Sequence, residues 1–345
     1  MSRLVLGAFL AIAGLITTAT PILAQDDGAA EWHKFRARFV MTDGRVIDTG
    51  NHEISHSEGQ GWGMLFAETF GDRVTFDRIW TWTRGTLQQK DSALFSWKWD
   101  PNDPDLISDT NDASDGDIMI AWALSRAGQR WNASSYTKAA KRIVVDIRRN
   151  LICISQNRLV LLPGRSGFHT DDKTVVNLSY YVYPAFDSFS RIDFSPEWQR
   201  LSQDGLSLLA EARFGRWGLP PDWLELDEEG DVAPATNLPP RFGFDAVRIP
   251  LYLVWAGEAT PKRLAAYMDF WNVSGANRIP GWTDLKDNTV APFDGSAGFD
   301  AVAQLVRSSL ERDNPPALPT IGERDDYYSA SLTLLTRIAR HESMR

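Results

Sequence analysis

The segment His52-Glu53-Ile54-Ser55-His56-Ser57-Glu58-Gly59-Gln60-Gly61-Trp62-Gly63-Met64 contains two catalytic patterns that cannot both operate. Counted from His52 it is H-E-x-x-H. On a helix, that pattern sets two imidazoles on one face to bind zinc and leaves Glu53 as the base acting on a metal-bound water. Counted from Ser55, it presents Glu58 among glycines beside the aromatic Trp62, as a carboxylic acid offered to a sugar would be. The zinc pattern demands an unbroken helix, because only the i, i+4 spacing puts both histidines on one face. Its flanks oppose that. Gly50-Asn51 precedes it and Gly59, Gly61 and Gly63 follow, each glycine costing about 1 kcal/mol in a helix interior. The longer zincin pattern holds through Gly59 but puts Trp62, which cannot ligate zinc, at the third ligand position. Glu68, His169 and His341 are the later donors, and no spacing gathers them. The expectation is therefore no metal and no cofactor.

A second acidic cluster, Asn111-Asp112-Ala113-Ser114-Asp115-Gly116-Asp117, leads straight into the apolar run Ile118 to Leu124. Asp115 or Asp117 could cap that helix, and Glu58 could cap one beginning near Gly63, where its charge meets the helix N-terminus. A helix needs only one cap, which leaves a carboxylate over. Alternating aspartates also suggest a calcium loop, but the glutamate that closes such a loop is missing.

The segment Ala113 to Leu124, followed by Ala127 and Trp131, closely resembles the signature of glycoside hydrolase family 8, with Ser125 departing from it. Gly44 to Asp48 with Ser57 to Met64 resembles the family block that carries the catalytic acid, Trp62 standing where tyrosine is common. Asn177-Leu178-Ser179-Tyr180 is similar to the family's Asn-Pro-Ser-Tyr, and Phe244 to Arg248 resembles the block with the catalytic base. Within the family, the likeness is to periplasmic cellulases associated with bacterial cellulose synthesis.

The resemblance implies an all-α fold, an (α/α)6 barrel of six helical hairpins with short β elements in its loops. It also implies hydrolysis of β-1,4 bonds with inversion, as by an endo-β-1,4-glucanase holding a cellulose chain in an open groove. Inversion takes two carboxyls about 6.5–9.5 Å apart, one protonating the leaving oxygen and the other activating water from the opposite face. Glu58 maps onto the general acid and Asp245 onto the general base. Asp115 maps onto the group that positions the sugar, and Tyr180 onto the one that holds the water. Arg248, which could pair with a carboxylate, and Trp62, which could keep Glu58 protonated, are also expected to contact the substrate, and Trp97 and Trp99 could stack on glucose rings. Each tryptophan could equally belong to the core. Chitosan, xylan or lichenan are alternative polymers, and a non-catalytic polysaccharide-binding protein is the alternative from another class.

These groups need elements to carry them, and helical periodicity dominates the chain. Apolar residues recur at three- and four-residue spacing over 63–70, 74–88, 117–130, 135–147, 198–214, 245–256, 261–271, 298–310 and 326–341. Ser135, Ser195-Pro196 and Thr260-Pro261 are start signals. The clearest strand is 159–163. The stretches 101–117 and 219–244 carry Pro, Asp and Asn signals and are expected as loops inside one domain. No internal repeat fixes the number of hairpins.

Arg3, the apolar run from Leu4 to Ile16 and the small residues before Gln25 form a signal peptide over 1–24. That leaves one domain over 25–345, sent to the periplasm or the medium without a membrane span. Cys153 is the lone cysteine, so no internal disulfide can brace it. A net charge of −9 excludes nucleic acid as partner. The 14 tryptophans lean instead toward carbohydrate. A monomer, working beside cellulose synthesis machinery, is the expectation.

Overall fold

The computed structural model describes residues 23–272, 279–311 and 317–343. The signal peptide expected over 1–24 falls almost wholly outside them. Eleven helices appear among the described residues: α1 (Leu23–Phe39), α2 (Ser57–Thr69), α3 (Arg73–Thr86), α4 (Ser114–Arg130), α5 (Ser134–Asn150), α6 (Tyr183–Asp193), α7 (Glu197–Glu211), α8 (Arg248–Trp255), α9 (Pro261–Asn272), α10 (Ala297–Leu310) and α11 (Tyr327–Ser343). Six of them, α2, α4, α6, α8, α10 and α11, pack each against the next until α11 returns to α2, closing a ring. The other five lie outside it, α3 against α2, α5 against α4, α7 against α6, α9 against α10 and α1 against α11. This is the (α/α)6 barrel. No helix among the described residues is long and apolar enough to cross a membrane.

Sequence chemistry separates the two rings. Outer α3 and α5 bury one stripe each, Thr75, Phe76, Ile79, Trp80 and Thr83 in the first and Tyr136, Ala139, Ala140, Ile143, Val144 and Ile147 in the second. Inner α2 and α4 are buried all round, with Gln60 fully enclosed and bonded to the Val46 N–H and the Thr83 hydroxyl. A continuous apolar core runs from Trp32 to Ala339.

The glycines of α2 are where the structure departs from the sequence-based expectation. The helix begins at Ser57, not Gly63, and runs through Gly59, Gly61 and Gly63. A Cβ on Gly61 would stand 2.5 Å from the Met119 Cβ, and one on Gly116 would stand 2.0 Å from the Ser57 Oγ. The missing side chains let α2 and α4 touch backbone to backbone, and that packing outweighs the local cost of glycine.

Other boundaries moved for identifiable reasons. Helix α6 was not expected; Pro184 in its first turn and the spacing of Tyr183, Phe186 and Phe189 are its signals. Helix α8 starts at Arg248 rather than Asp245, because 243–247 form the turn before it. Ser135 caps nothing, since α5 starts at Ser134 behind Ala133, whereas the Thr260 hydroxyl accepts the Arg263 N–H at 3.2 Å as its start signal predicts. The expected strand forms over Arg158–Leu161 against Ile152–Ser155. The stretch 219–244 holds three short strands: Leu224–Asp227 and Val232–Pro234 in one sheet with Lys173–Val176, and Arg241–Phe242 paired with Thr283–Asp284.

The H-E-x-x-H reading fails on backbone geometry. His52 and Glu53 have φ of 54° and 60°, in the left-handed region, and His56 is extended, so no helix joins the two histidines.

Replacing Gly61 by alanine is expected to lower stability by about 1–3 kcal/mol through overpacking against α4, despite alanine's better helix propensity. A denaturant midpoint equal to or above the wild type's would refute the close-packing account.

Candidate active site

The N-terminal ends of the inner helices meet at one mouth of the barrel. Glu58 lies in the first turn of α2, Asp115 in the first turn of α4, and Arg248 opens α8, three residues after Asp245. Asn177, Ser179 and Tyr180 sit on a 3-10 turn just before α6, and Tyr327 opens α11. The start of α2 is held in place by a two-residue ladder, Ser55 against Trp99 and His56 against Lys98, and by the Ser57 N–H donating to the Trp97 carbonyl at 3.0 Å.

Arg248 is the centre of the arrangement. Its side chain is 3% exposed. Nη1 donates to Glu58 Oε1, while Nη2 donates to Asp245 Oδ1 at 2.8 Å and to Ser179 Oγ at 2.9 Å. The guanidinium lies 5.7 Å from the Trp62 ring and 5.9 Å from that of Tyr180. Ser179 is fixed in turn by Asn177, whose Oδ1 accepts both its N–H and its hydroxyl. One cation thus ties together three segments that are remote in sequence.

The two carboxyls it bridges differ in environment. Burial pushes the Glu58 carboxyl well above its ordinary value; Arg248 opposes this, while Asp115 and Asp245 add to it, Asp115 also by a hydrogen bond. Asp245 is raised as well, by burial and by Asp115, but Arg248, a hydrogen bond from Asn177 and Arg241 all pull it down. Glu58 therefore holds its proton more firmly, and Asp245, with 29% of its side chain exposed, faces solvent more openly. Burial, Asp115 and Asp245 drive the Tyr180 phenol far up, so it remains a hydroxyl donor.

The acidic cluster divides its labour. Asp115 reaches Glu58, whereas Asp117 turns away and accepts the Phe95 N–H at 2.9 Å. Asp117 is fully enclosed, and burial and Asp112 raise its carboxyl well above the usual range. It anchors the segment entering Trp97.

Four expected substrate contacts change character. Trp62 is completely buried beneath Arg248, with Tyr327 stacked 6.1 Å away, so it supports the guanidinium and offers no face to a sugar. Arg248 is likewise enclosed, and it grips carboxyls instead of lining the groove. Trp99 is half-buried, its ring perpendicular to that of Trp82 at 6.0 Å and the Arg45 guanidinium 4.7 Å over it. Trp97 is half-buried too, its Nε1 donating to Asp109 at 2.8 Å.

Sequence reasoning missed Asp222, which lies in the stretch expected to be a loop. Its Oδ1 accepts from the backbone of Gly243 at 2.9 Å, Asp245 at 3.2 Å and Ala246 at 2.8 Å. It missed Trp223, stacked on Phe168 at 5.9 Å and set edge-on to Tyr180. It also missed Phe244 and Tyr328, a pair beside Asp245 whose phenol donates to the Phe244 carbonyl. Only the neighbouring Asp245 block signalled Phe244; the others carry no spacing signal.

Of the zinc pattern, His56 Nε2 meets Asp48 at 3.1 Å and its ring meets that of Tyr327. His169 Nδ1 pairs with the Thr174 hydroxyl at 2.8 Å. Among the described residues, no three His, Cys, Asp or Glu side chains converge as metal ligands.

A mouth lined by carboxyls at the ends of inner helices is the arrangement of a barrel-type glycosidase, and the sequence model of Glycosyl hydrolases family 8 matches residues 8–342. The chain belongs to that family. It is 42% identical over 320 residues to a probable endoglucanase of Novacetimonas hansenii, covering 92% of both chains. It is 38% identical to an endoglucanase of Cellulomonas uda, covering 87% of this chain and 84% of that one. An endo-β-1,4-glucanase from Acetobacter xylinum superposes with a TM-score of 0.88 at 42% identity, over 93% of this chain and all of the other.

Arg248→Met would leave two enclosed carboxyls facing each other with no cation between them. The expected loss of stability is about 3–5 kcal/mol at neutral pH. A carboxyl whose folded-state proton affinity is raised favours folding below its unfolded value and loses that advantage as pH rises, so the loss should shrink as the medium is acidified and the carboxyls take up protons. Unfolding midpoints measured at neutral and at acidic pH would show it; a pH-independent loss would contradict the bridging role.

Proposed function

We propose that this chain is an endo-β-1,4-glucanase that cuts cellulose chains with inversion, through Glu58 as general acid and Asp245 as general base. The observation that carries the reading is the Arg248 bridge between two carboxyls of unequal proton affinity. An acid and a base are distinguished by that inequality. The family and the names of the relatives, two endoglucanases and an endo-β-1,4-glucanase, support the substrate class.

In this mechanism the Glu58 proton goes to the glycosidic oxygen as the C1–O bond lengthens. A water on the opposite face attacks C1 and gives its proton to Asp245, which Arg248 and Asn177 hold ready. Tyr180 donates a hydrogen bond toward that water, and Asp115, beside Glu58, binds the sugar at the cleavage point. Trp97 and the uncovered part of Trp99 flank the acid and serve as stacking faces further along the groove.

The mature enzyme comprises residues 25–345 as one catalytic domain, exported behind the 1–24 signal and acting as a monomer in the periplasm or outside the cell. Its place is beside cellulose synthesis, where nascent glucan chains require trimming. Chitosan, xylan and lichenan are the competing polymers, to be compared on one substrate panel.

The deciding experiment is hydrolysis of carboxymethyl cellulose followed by reducing-end release and by NMR of the first-formed anomer. The expected product is the α-anomer; a β-anomer would sink inversion, and binding without release would place the chain among non-catalytic glucan-binding proteins. Because Glu58 must carry its proton, kcat/KM should fall as pH rises through its elevated value. Glu58→Gln should lose about 10²- to 10⁴-fold in kcat, and a wild-type rate from that variant would remove Glu58 from the acid role.

A further inference from the structure

Asp222 has no role in the reaction as proposed above, yet it is built into the peptide that carries Asp245. It is 5% exposed. Its own N–H donates to the Arg241 carbonyl at 2.7 Å, joining the two segments. From there, Oδ1 receives the N–H groups of Gly243, Asp245 and Ala246, at 2.9, 3.2 and 2.8 Å. Three donors converging on one oxygen fix both the position and the tilt of a turn, as a capping side chain fixes the first turn of a helix. The fit leaves no slack. A Cβ on Gly243 would lie 3.0 Å from Asp222 Oδ2 and 3.3 Å from the Trp282 Cβ.

We propose that Asp222 is a positioning residue for Asp245: by gripping residues 243–246 through Oδ1, it aims the Asp245 carboxyl at Arg248 and at the attacking water. The inference rests on Asp245 being the base. A misplacement of that carboxyl by a fraction of an ångström leaves the groove intact, so it acts on turnover and not on binding.

The charges around the pair decide how to test it. Asp222 faces Asp245, the Arg241 guanidinium 3.7 Å from its Oδ2 and, further off, the Tyr328 phenol. Asp245 faces Arg248, Asp115, Arg241, Glu58 and Tyr180. Burial, and then the charge of Asp245, holds the Asp222 carboxyl up to about 7, against the pull of its N–H partners and Arg241. Below that pH it carries a proton while Oδ1 still accepts. Asparagine reproduces this neutral state, and alanine removes the acceptor.

The test is kcat and KM on carboxymethyl cellulose at about pH 5.5, well below the Asp222 value, for the wild type, Asp222→Asn and Asp222→Ala, each scaled to its folded fraction by circular dichroism. Asp222→Ala should lose about a hundredfold in kcat with KM nearly unchanged, and Asp222→Asn should stay close to wild type. A wild-type kcat from Asp222→Ala, a change confined to KM, or an asparagine variant as impaired as the alanine one would each overturn the proposal. If the alanine variant does not fold, the asparagine variant decides alone: near-wild-type turnover supports the grip, and a loss of tenfold or more refutes it. Asp245→Asn, assayed beside them, separates the two levels. If it retains full hydrolysis, the base assignment falls and the inference with it; if it is inactive while Asp222→Ala is unimpaired, only the inference falls.

Discussion

One buried cation organises this mouth of the barrel. Enclosing a guanidinium costs several kcal/mol unless its charge is met, and Arg248 meets it with Glu58 and Asp245, its two terminal nitrogens donating to them and to Ser179. The requirement works in both directions. Two carboxyls gathered in an apolar mouth would repel each other and take up protons; with the cation between them they stay close and still differ, because Glu58 is enclosed against Asp115 and Asp245 is partly open. Everything beneath serves that bridge. Trp62 supplies an aromatic floor, Tyr327 backs the tryptophan, and Gly61 of α2 with Gly116 of α4 brings the two helices close enough for Asp115 to reach Glu58.

Much of this was legible in the sequence, and what was not has a physical reason. Outer helices declared themselves through a single apolar stripe, as α5 does with Ile143, Val144 and Ile147. The inner helices were harder, because burial on every side erases the stripe. Glycine shows the difficulty best: Gly59, Gly61 and Gly63 are destabilising in an isolated helix, yet here they make room for Tyr327, for Met119 of α4 and for Val46 in turn, and no local rule distinguishes the two cases. The carboxylates were found through motifs. Glu58, Asp115, Asp245 and Arg248 converge as the family resemblance implied, but the same resemblance could not say that Trp62 faces inward. That depends on which way the helix turns in its ring. Asp222 was invisible for another reason. Its partners are backbone N–H groups, which every residue has and which leave no mark on composition or spacing.

The ring separates holding from handling. Inner helices contribute their first turns to the mouth, where the positive ends of the helix dipoles suit a cluster of carboxyls. The short strands lie between helices, and they aim the loops that border the mouth, as the Ser55–His56 and Lys98–Trp99 pair does for the start of α2. Residues such as Trp97, Phe168 and Trp223 sit on those loops, so the surface met by a polymer can vary while the bridge beneath it stays fixed.

Closure of the ring also has a consequence in time. Helix α11 is synthesised long after α1 and α2, and it completes the wall they begin: Tyr327 lies against Trp62 and His56, Arg38 reaches the carbonyls of Gly322 and Asp325, and Glu31 accepts the N–H of Ile321. Until α11 exists, Glu58 on α2 has no back wall and its carboxyl is not yet enclosed. The enclosure that raises the Glu58 carboxyl is therefore completed only when α11 closes on α1 and α2.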